Sequence, residues 1–337
     1  MGLWRSLYAT DYIYPVMEAN EQVYLLHQHQ NGLDLLEWNA ATKQVSHALA
    51  SWYTPTNVTL LPGKHAFSFI DSDTIKVKAF NQRSPYTIPL DMPLYNFTII
   101  QWIDDAHCYC SATKQGVFGI YEISYDGEVT QKVFDKSIDC MYPQKLGAYL
   151  YYITRALKEG VYYYSIRRCM YTSTSHSPED DELYIDCGTM PIAFLSRIPV
   201  EGIGVLSYEI KEANDLQGTV LFRYFCVSKE KKLEECFSFY ISKKLLFGDQ
   251  LDRLYESLLP LLPRLRGDNV YFVSSDGMYY FDLIKKEVVC CNNVSYCFVP
   301  LLSGFYGGSL SNNMVIPYIK YDSYDSLQLC QIPSIDL

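Results

Sequence analysis

The chain has 337 residues, 49% of them hydrophobic and 20% charged, which supplies a large core and argues against intrinsic disorder. A net charge of −10 and a pI near 5.1 argue against nucleic acid as a partner, and Lys229, Lys231 and Lys232 are answered by Glu230, Glu234 and Glu235. No run approaches the roughly 18 apolar residues of a membrane span, and 1–16, with Trp4, Arg5 and Asp11, does not read as a secretory signal. The 11 cysteines, odd in number and irregular in spacing, then read as reduced, buried thiols of a cytoplasmic protein.

From the N-terminus, an apolar, Tyr-rich stretch at 7–16 precedes a series of seven hairpin-like units. They open at Gly32, Ser72, Val117, Gly160, Gly218, Asp276 and Ser326, so successive starts lie 40, 45, 43, 58, 58 and 50 residues apart. A propeller blade of four strands takes about 40–50 residues. The longer intervals carry polar insertions at 172–181 and 211–217 and the segment 242–263. A less polar strand precedes most units, at 57–61, 97–102, 192–196 and 296–302, and is expected as the inner strand of each blade. In 75–80, Ile-Lys-Val-Lys-Ala-Phe, apolar residues alternate with lysines, so one face is expected buried and the other wet. The Tyr-rich runs 149–153 and 161–166 lack that alternation and are expected as inner strands covered on both faces.

The clearest unit lies at 267–291. It reads as strands 269–274, 278–283 and 288–291, with Ser275-Asp276-Gly277 as a tight turn whose Gly accepts a positive φ. The whole is therefore expected to be an all-β, seven-bladed β-propeller forming a single domain over 1–337. Six or eight blades fit the irregular 172–217 region as well. The last unit is too short for a full blade, so 7–16 is expected to pair with it and close the ring. One helical insertion interrupts the strands at 242–263. There Leu251, Leu254, Tyr255, Leu258 and Leu259 follow i, i+3, i+4, i+7, i+8 spacing, Asp249 can cap the start and Pro260 ends it.

The stretch around Gly267, Val270, Tyr271, Phe272, Asp276, Gly277, Tyr279 and Asp282 resembles blades of TolB-like and related, WD40-like β-propellers. In TolB-like blades a G-x-x-[IV]-Y-[FY] strand is followed by DG-[IL]-Y-x-[IY]-[DN]. Only this unit matches closely. The repeated Gly-His and Trp-Asp signature of WD40 blades is absent, and 124–127, Ser-Tyr-Asp-Gly, lacks the closing aromatic of a sialidase-type Asp-box. The resemblance implies a binding platform more often than an enzyme, and fold alone does not fix function.

The chemistry-bearing residues are sparse. His27 and His29 share a strand face, as do Cys108 and Cys110 beside His107, but neither set has a third ligand or Cys-x-x-Cys spacing, so no metal or cofactor is assigned. Asp104-Asp105 read as turn residues, Glu179 to Glu182 as a solvated acidic run, Cys290-Cys291 as strand residues on opposite faces, and 304–309 as a Gly-rich turn. No Gly-x-Ser-x-Gly elbow is present. The leading reading is a non-catalytic platform binding a protein partner, with Leu251, Leu254, Tyr255 and Leu258 as docking residues. The alternative is an enzyme or small-ligand binder at the central channel, with Asp104, Asp105, His107, Arg155 and Arg197 near the ends of inner strands.

Overall fold

The structure is a computed structural model. It describes 12–19, 22–29, 32–39, 44–52, 56–61, 66–198 and 202–242 apart from positions 72, 80, 81, 83, 99, 173, 174, 211–218 and 229, then 263–292 apart from 267, 275 and 276, and finally 297–298, 316–321 and 327–332. Among the described residues nearly everything ordered is strand, and the one helical piece is a 3-10 turn at Pro178–Asp180. No helix among them is long and apolar enough to cross a membrane. The insertion at 242–263 falls almost wholly outside the described residues; its first position ends a strand.

The chain divides into two compact units. One comprises 1–56, 212–219 and 239–337, the other 57–211 and 220–238. In the first, β1 (Tyr12–Ala19), β2 (Gln22–His29), β3 (Gly32–Asn39) and β4 (Gln44–Trp52) form a four-stranded sheet in sequence order. The same unit holds β21 (Arg264–Arg266), β22 (Asn269–Ser274), β23 (Gly277–Asp282) and β24 (Glu287–Asn292), and a three-stranded sheet of β25 (Cys297–Phe298), β26 (Ile316–Tyr321) and β27 (Leu327–Ile332). The second unit contributes three sheets and most of a fourth. These are β5 (Thr56–Leu60), β6 (Ala66–Asp71), β7 (Thr74–Ala79) and β8 (Tyr86–Thr87); β9 (Gln101–Trp102), β10 (His107–Lys114), β11 (Val117–Ser124) and β12 (Val129–Val133); β13 (Ile138–Leu146), β14 (Tyr149–Lys158), β15 (Val161–Met170) and β16 (Glu182–Gly188); and β17 (Ile192–Ile198), β18 (Gly202–Ile210), β19 (Thr219–Val227) and β20 (Leu233–Ser242). Every sheet is a meander of consecutive strands, antiparallel wherever the register is defined.

The sequence units correspond to these sheets. Gly32 opens β3, Val117 opens β11, and the starts at Ser72, Gly160, Gly218, Asp276 and Ser326 each fall within two residues of the third strand of a sheet. Gly277, expected within the turn, instead opens β23 and pairs with Ser274, while 275 and 276 lie outside the described residues. Of the segment 7–16, residues 7–11 lie outside the described residues. Its described part, 12–16, belongs to β1 and pairs with β2, while β25 to β27 stand as a sheet of their own.

Two burial expectations also change. In β7 Ile75 and Val77 are buried as the alternation requires, but Lys78 is buried too. Its ammonium donates to the carbonyls of Ala79, at 3.2 Å, and Gln82, and burial lowers its pKa. The run 161–166 is in a third strand, and Val161, Tyr162 and Tyr163 stand exposed. By contrast 149–153 in β14 is buried from Leu150 to Ile153.

The core of the second unit lies between its sheets. Ile75, Ile100, Trp102, Tyr121 and Ile123 pack together, as do Ile153, Ile166, Leu195, Ile203 and Val205, and Tyr109, Val133, Cys140, Leu150 and Tyr152 form a third cluster. Trp102 spends its indole N–H on Ser68 Oγ at 2.7 Å, so even this fully buried ring leaves no donor unmet.

Candidate functional site

Among the described residues of the second unit, exposed apolar side chains gather at the tip of the β14–β15 hairpin. Lys158 pairs with Val161 across a two-residue turn in which Glu159 and Gly160 have φ of 51° and 79°. Two positive φ values suit the right-handed twist of the flanking strands, and Gly tolerates the second. The neighbouring strands stop short. β13 pairs with β14 only as far as Ala156, and β16 pairs with β15 only from Tyr164. The residues 157–163 therefore project beyond both partners. Leu157 is 59% exposed, Tyr162 46% and Tyr163 42%.

Cations stiffen this tip from its root. The Arg155 guanidinium lies 4.9 Å from the Tyr162 ring centroid and Lys158 Nζ lies 5.6 Å from that of Tyr163. Arg155 donates through Nε and Nη2 to Asp139 Oδ2 at 3.0 and 2.7 Å. The other oxygen of Asp139 accepts the Phe118 amide at 3.1 Å, tying the hairpin root to β11. Burial alone would lower the Arg155 pKa, but the Asp139 carboxylate outweighs it and raises it. Burial raises the hydroxyl pKa of Tyr164, opposite Arg155, and of Tyr208, which lies within electrostatic reach of both. Tyr208 lines a cleft of about 580 Å³ with Met190, Pro191, Ile210, Glu209 and Arg223.

The residues singled out from the sequence are dispersed. Asp104 forms a closed turn, its Oδ1 accepting the amides of Ala106 and His107 at 2.7 Å, with His107 Nδ1 at 3.3 Å. Burial, the largest single influence, opposes ionisation, yet these donors and the His107 ring together hold the Asp104 carboxyl below its ordinary range. Asp105 shares that turn. Arg155 is engaged with Asp139 instead. Arg197 lies in β17, where its backbone pairs with Ile203. Leu251, Leu254, Tyr255 and Leu258 lie outside the described residues, as do 211–217 and 304–309. His27 and His29 are in β2. Cys108 and Cys110 are wholly buried within β10 while His107 is exposed, so the three do not converge. Not all thiols are buried: Cys226 and Cys236 are half-exposed and Cys290 is exposed. The 124–127 stretch makes the β11–β12 turn, closed by Gly127 N donating to Ser124 O at 3.0 Å.

The acidic run 179–182 is the main correction. Glu182 is clamped by Arg168, at 2.7 and 3.1 Å, and Asp181 is almost fully buried against His176 and Tyr152. The sequence signal was present only as the pairing of an Arg-rich strand, 167–168, with an acidic loop that must fold back on it. Cys169 also joins this group, its thiol pushed up to about 12 by burial and by Asp181. A thiol so protonated is no nucleophile near neutral pH.

No protein-family model and no curated protein matches the chain. Among solved structures, the tricorn protease aligns with a TM-score of 0.55 and 12% identity over 83% of this chain and 30% of that one. The acylaminoacyl peptidase of Pyrococcus horikoshii aligns at 0.50 and 11% identity, over 95% of this chain and 51% of that one. A putative TolB from Agrobacterium tumefaciens aligns at 0.47 and 15%, over 68% and 82%. This chain thus spans under a third of the tricorn protease chain and about half of the peptidase. At these identities the likeness is one of fold, and the fold is all-β and β-propeller-like.

Proposed function

We propose that this chain is a closed, seven-bladed propeller that serves in the cytoplasm as a non-catalytic platform for a protein partner, with the β14–β15 tip as part of the contact. The seven units, set 40 to 58 residues apart, support the blade count. The observation that carries the binding reading is the projecting cluster of Leu157, Val161, Tyr162 and Tyr163. Tyr side chains dominate interface energetics because they bury large area with few rotors to freeze. Here two of them are already oriented by Arg155 and Lys158, so less ordering remains at binding. The complementary partner surface is an apolar pocket on a folded protein. The segment 242–263, with Leu251, Leu254, Tyr255 and Leu258, is a second contact element in this proposal.

A photo-crosslinking residue at position 162 tests it in the source cells. A single crosslinked protein is expected, whose purified form binds the chain and loses at least about tenfold in affinity, roughly 1.4 kcal/mol, on Tyr162→Ser/Tyr163→Ser. Deleting 242–263 checks the second element separately. Equal affinity of the Tyr double variant, with unchanged melting, removes the tip from the contact.

A further inference from the structure

Cys169, His176 and Asp181 form a constellation that the platform reading does not use. Cys169 lies near the end of β15 opposite Leu150, and Tyr152 lies two residues on from Leu150 in β14, opposite Arg167. These four side chains share one face of the sheet, the face packed with Tyr109, Val133 and Cys140. The chain then leaves β15 and crosses to the free edge of β12. His176 N donates to Lys132 O at 3.1 Å, and His176 O accepts from Phe134 N at 3.2 Å, forming a parallel bridge with Val133. Ser177 caps the 3-10 turn, and Arg167 Nη1 donates to Pro178 O at 2.7 Å and Asp181 O at 3.0 Å. Both ends of the loop are thus fixed. The result is that Cys169 Sγ, His176 Nε2 and an Asp181 oxygen all lie within 4.8 Å of one another. The His176 and Asp181 side chains are only 17% and 6% exposed.

We infer that these three side chains bind one divalent zinc ion, which clasps the 171–181 loop to β15. A thiolate, an imidazole and a carboxylate are the three donor types zinc accepts, and three protein ligands leave a fourth, tetrahedral position for water. Metal–ligand bonds of about 2.0–2.3 Å place tetrahedral donors roughly 3.3–3.7 Å apart, so His176 Nε2 and Asp181 Oδ1, now in direct contact at 2.8 Å, must part by roughly half an ångström to admit the ion, and all three donors already lie within 4.8 Å of one another. Charge fits as well. Zinc carries two positive charges, the thiolate and carboxylate carry one negative charge each, and the nearby Lys132 ammonium is already matched by Glu122 at 3.0 Å. A neutral assembly suits a buried site. Tyr152 donates its hydroxyl to Asp181 Oδ2 and so orients the carboxylate, while Oδ1 and His176 Nε2, 2.8 Å apart, would exchange their mutual contact for the ion. On binding, the Cys169 S–H bond breaks, sulfur takes a coordinate bond to zinc, and the proton goes to solvent.

The test uses the full chain stripped of metal with a chelator and titrated with zinc alone, then with cobalt(II). One zinc per chain is expected, with a thiolate-to-cobalt charge-transfer band in the near ultraviolet. Cys169→Ser and His176→Ala should each remove binding, whereas Tyr152→Phe should weaken it about 10–100-fold. A folded wild type that binds no zinc overturns the assignment; so does a Cys169→Ser variant that keeps the band, which would place the metal on other thiols such as the half-exposed Cys226 and Cys236. Should Cys169→Ser not fold, zinc-edge X-ray absorption on the wild type decides. A shell of one sulfur with nitrogen and oxygen supports the site, and two or more sulfurs overturn it.

Discussion

Replacing Gly127 with Ala is expected to be among the most damaging single-methyl additions to the second unit. Gly127 turns the chain from β11 to β12 at φ +97°, and a Cβ built there would stand 2.0 Å from the Pro89 carbonyl oxygen and 2.7 Å from its carbon. Both are backbone atoms, so no side chain can swing aside. Pro89 would have to retreat by an ångström or more, and with it Leu90 and Asp91. That movement breaks the Asp91 N to Gly127 O bond and the Val129 N to Asp91 Oδ1 bond, both 3.0 Å long. Two hydrogen bonds at about 1 kcal/mol each, with about 1–2 kcal/mol of backbone strain, total roughly 3–4 kcal/mol. Gly160 provides the control. It too has positive φ, +79°, but an added Cβ meets nothing within 4 Å, so Gly160→Ala should cost only the strain, about 1 kcal/mol. Urea denaturation followed by far-ultraviolet circular dichroism measures both. A thermal midpoint should fall by about 2–4 °C for each kcal/mol in a unit of this size. If Gly127→Ala lies within about 0.5 kcal/mol of Gly160→Ala, the clash with the Pro89 strap is not rigid and the reasoning fails.

Tyr121 is fully buried and its hydroxyl has no hydrogen-bond partner among the described residues, so Tyr121→Phe should stabilise by about 1 kcal/mol; a loss in denaturation midpoint would show that the hydroxyl is solvated or bonded. Cys226 and Cys236 have sulfurs 2.7 Å apart, so diamide should join them, each thiol giving up its hydrogen as the diazene is reduced to a hydrazine, and peptide mapping that finds Cys236 still free would count against the pairing. Asp104, Asp135 and Glu182 all have carboxyl pKa values below ordinary, from amide and hydroxyl donors or from Arg168 and Lys231. The unfolded chain then takes up protons first, so stability present at neutral pH should drain away as pH falls through about 4.5 and below; a thermal midpoint flat from pH 7 to 3 contradicts this.

The repeat was legible because each third strand is announced locally. Glu159-Gly160 is a turn pair that φ preferences single out, Gly277 marks the start of β23, and the strands that follow are rich in Val, Tyr and Phe. What alternation could not convey is where a strand outruns its neighbours. Tyr149 to Ile153 and Val161 to Ile166 look alike as strings, yet the latter begins beyond the reach of β13 and β16 and so keeps its rings in solvent. Lys78 misled in the opposite sense, since a lysine can be buried wherever carbonyls collect around its ammonium. Asp181 was hidden because burial of a carboxylate depends on Tyr152 and His176, partners 29 and 5 residues away, and a run of acids carries no mark of which one turns inward.

The meander itself has a kinetic consequence. Since each sheet is assembled from strands adjacent in sequence, joined by turns as short as two residues, its pairing closes only small loops. Such a chain can order itself sheet by sheet while still emerging from the ribosome, without waiting for distant segments, and contact order stays low for an all-β protein. The attachment of His176 to β12 is an exception, for it reaches back from a later sheet to an earlier one. The third sheet's edge therefore stays open during synthesis until the fourth hairpin and its loop are made.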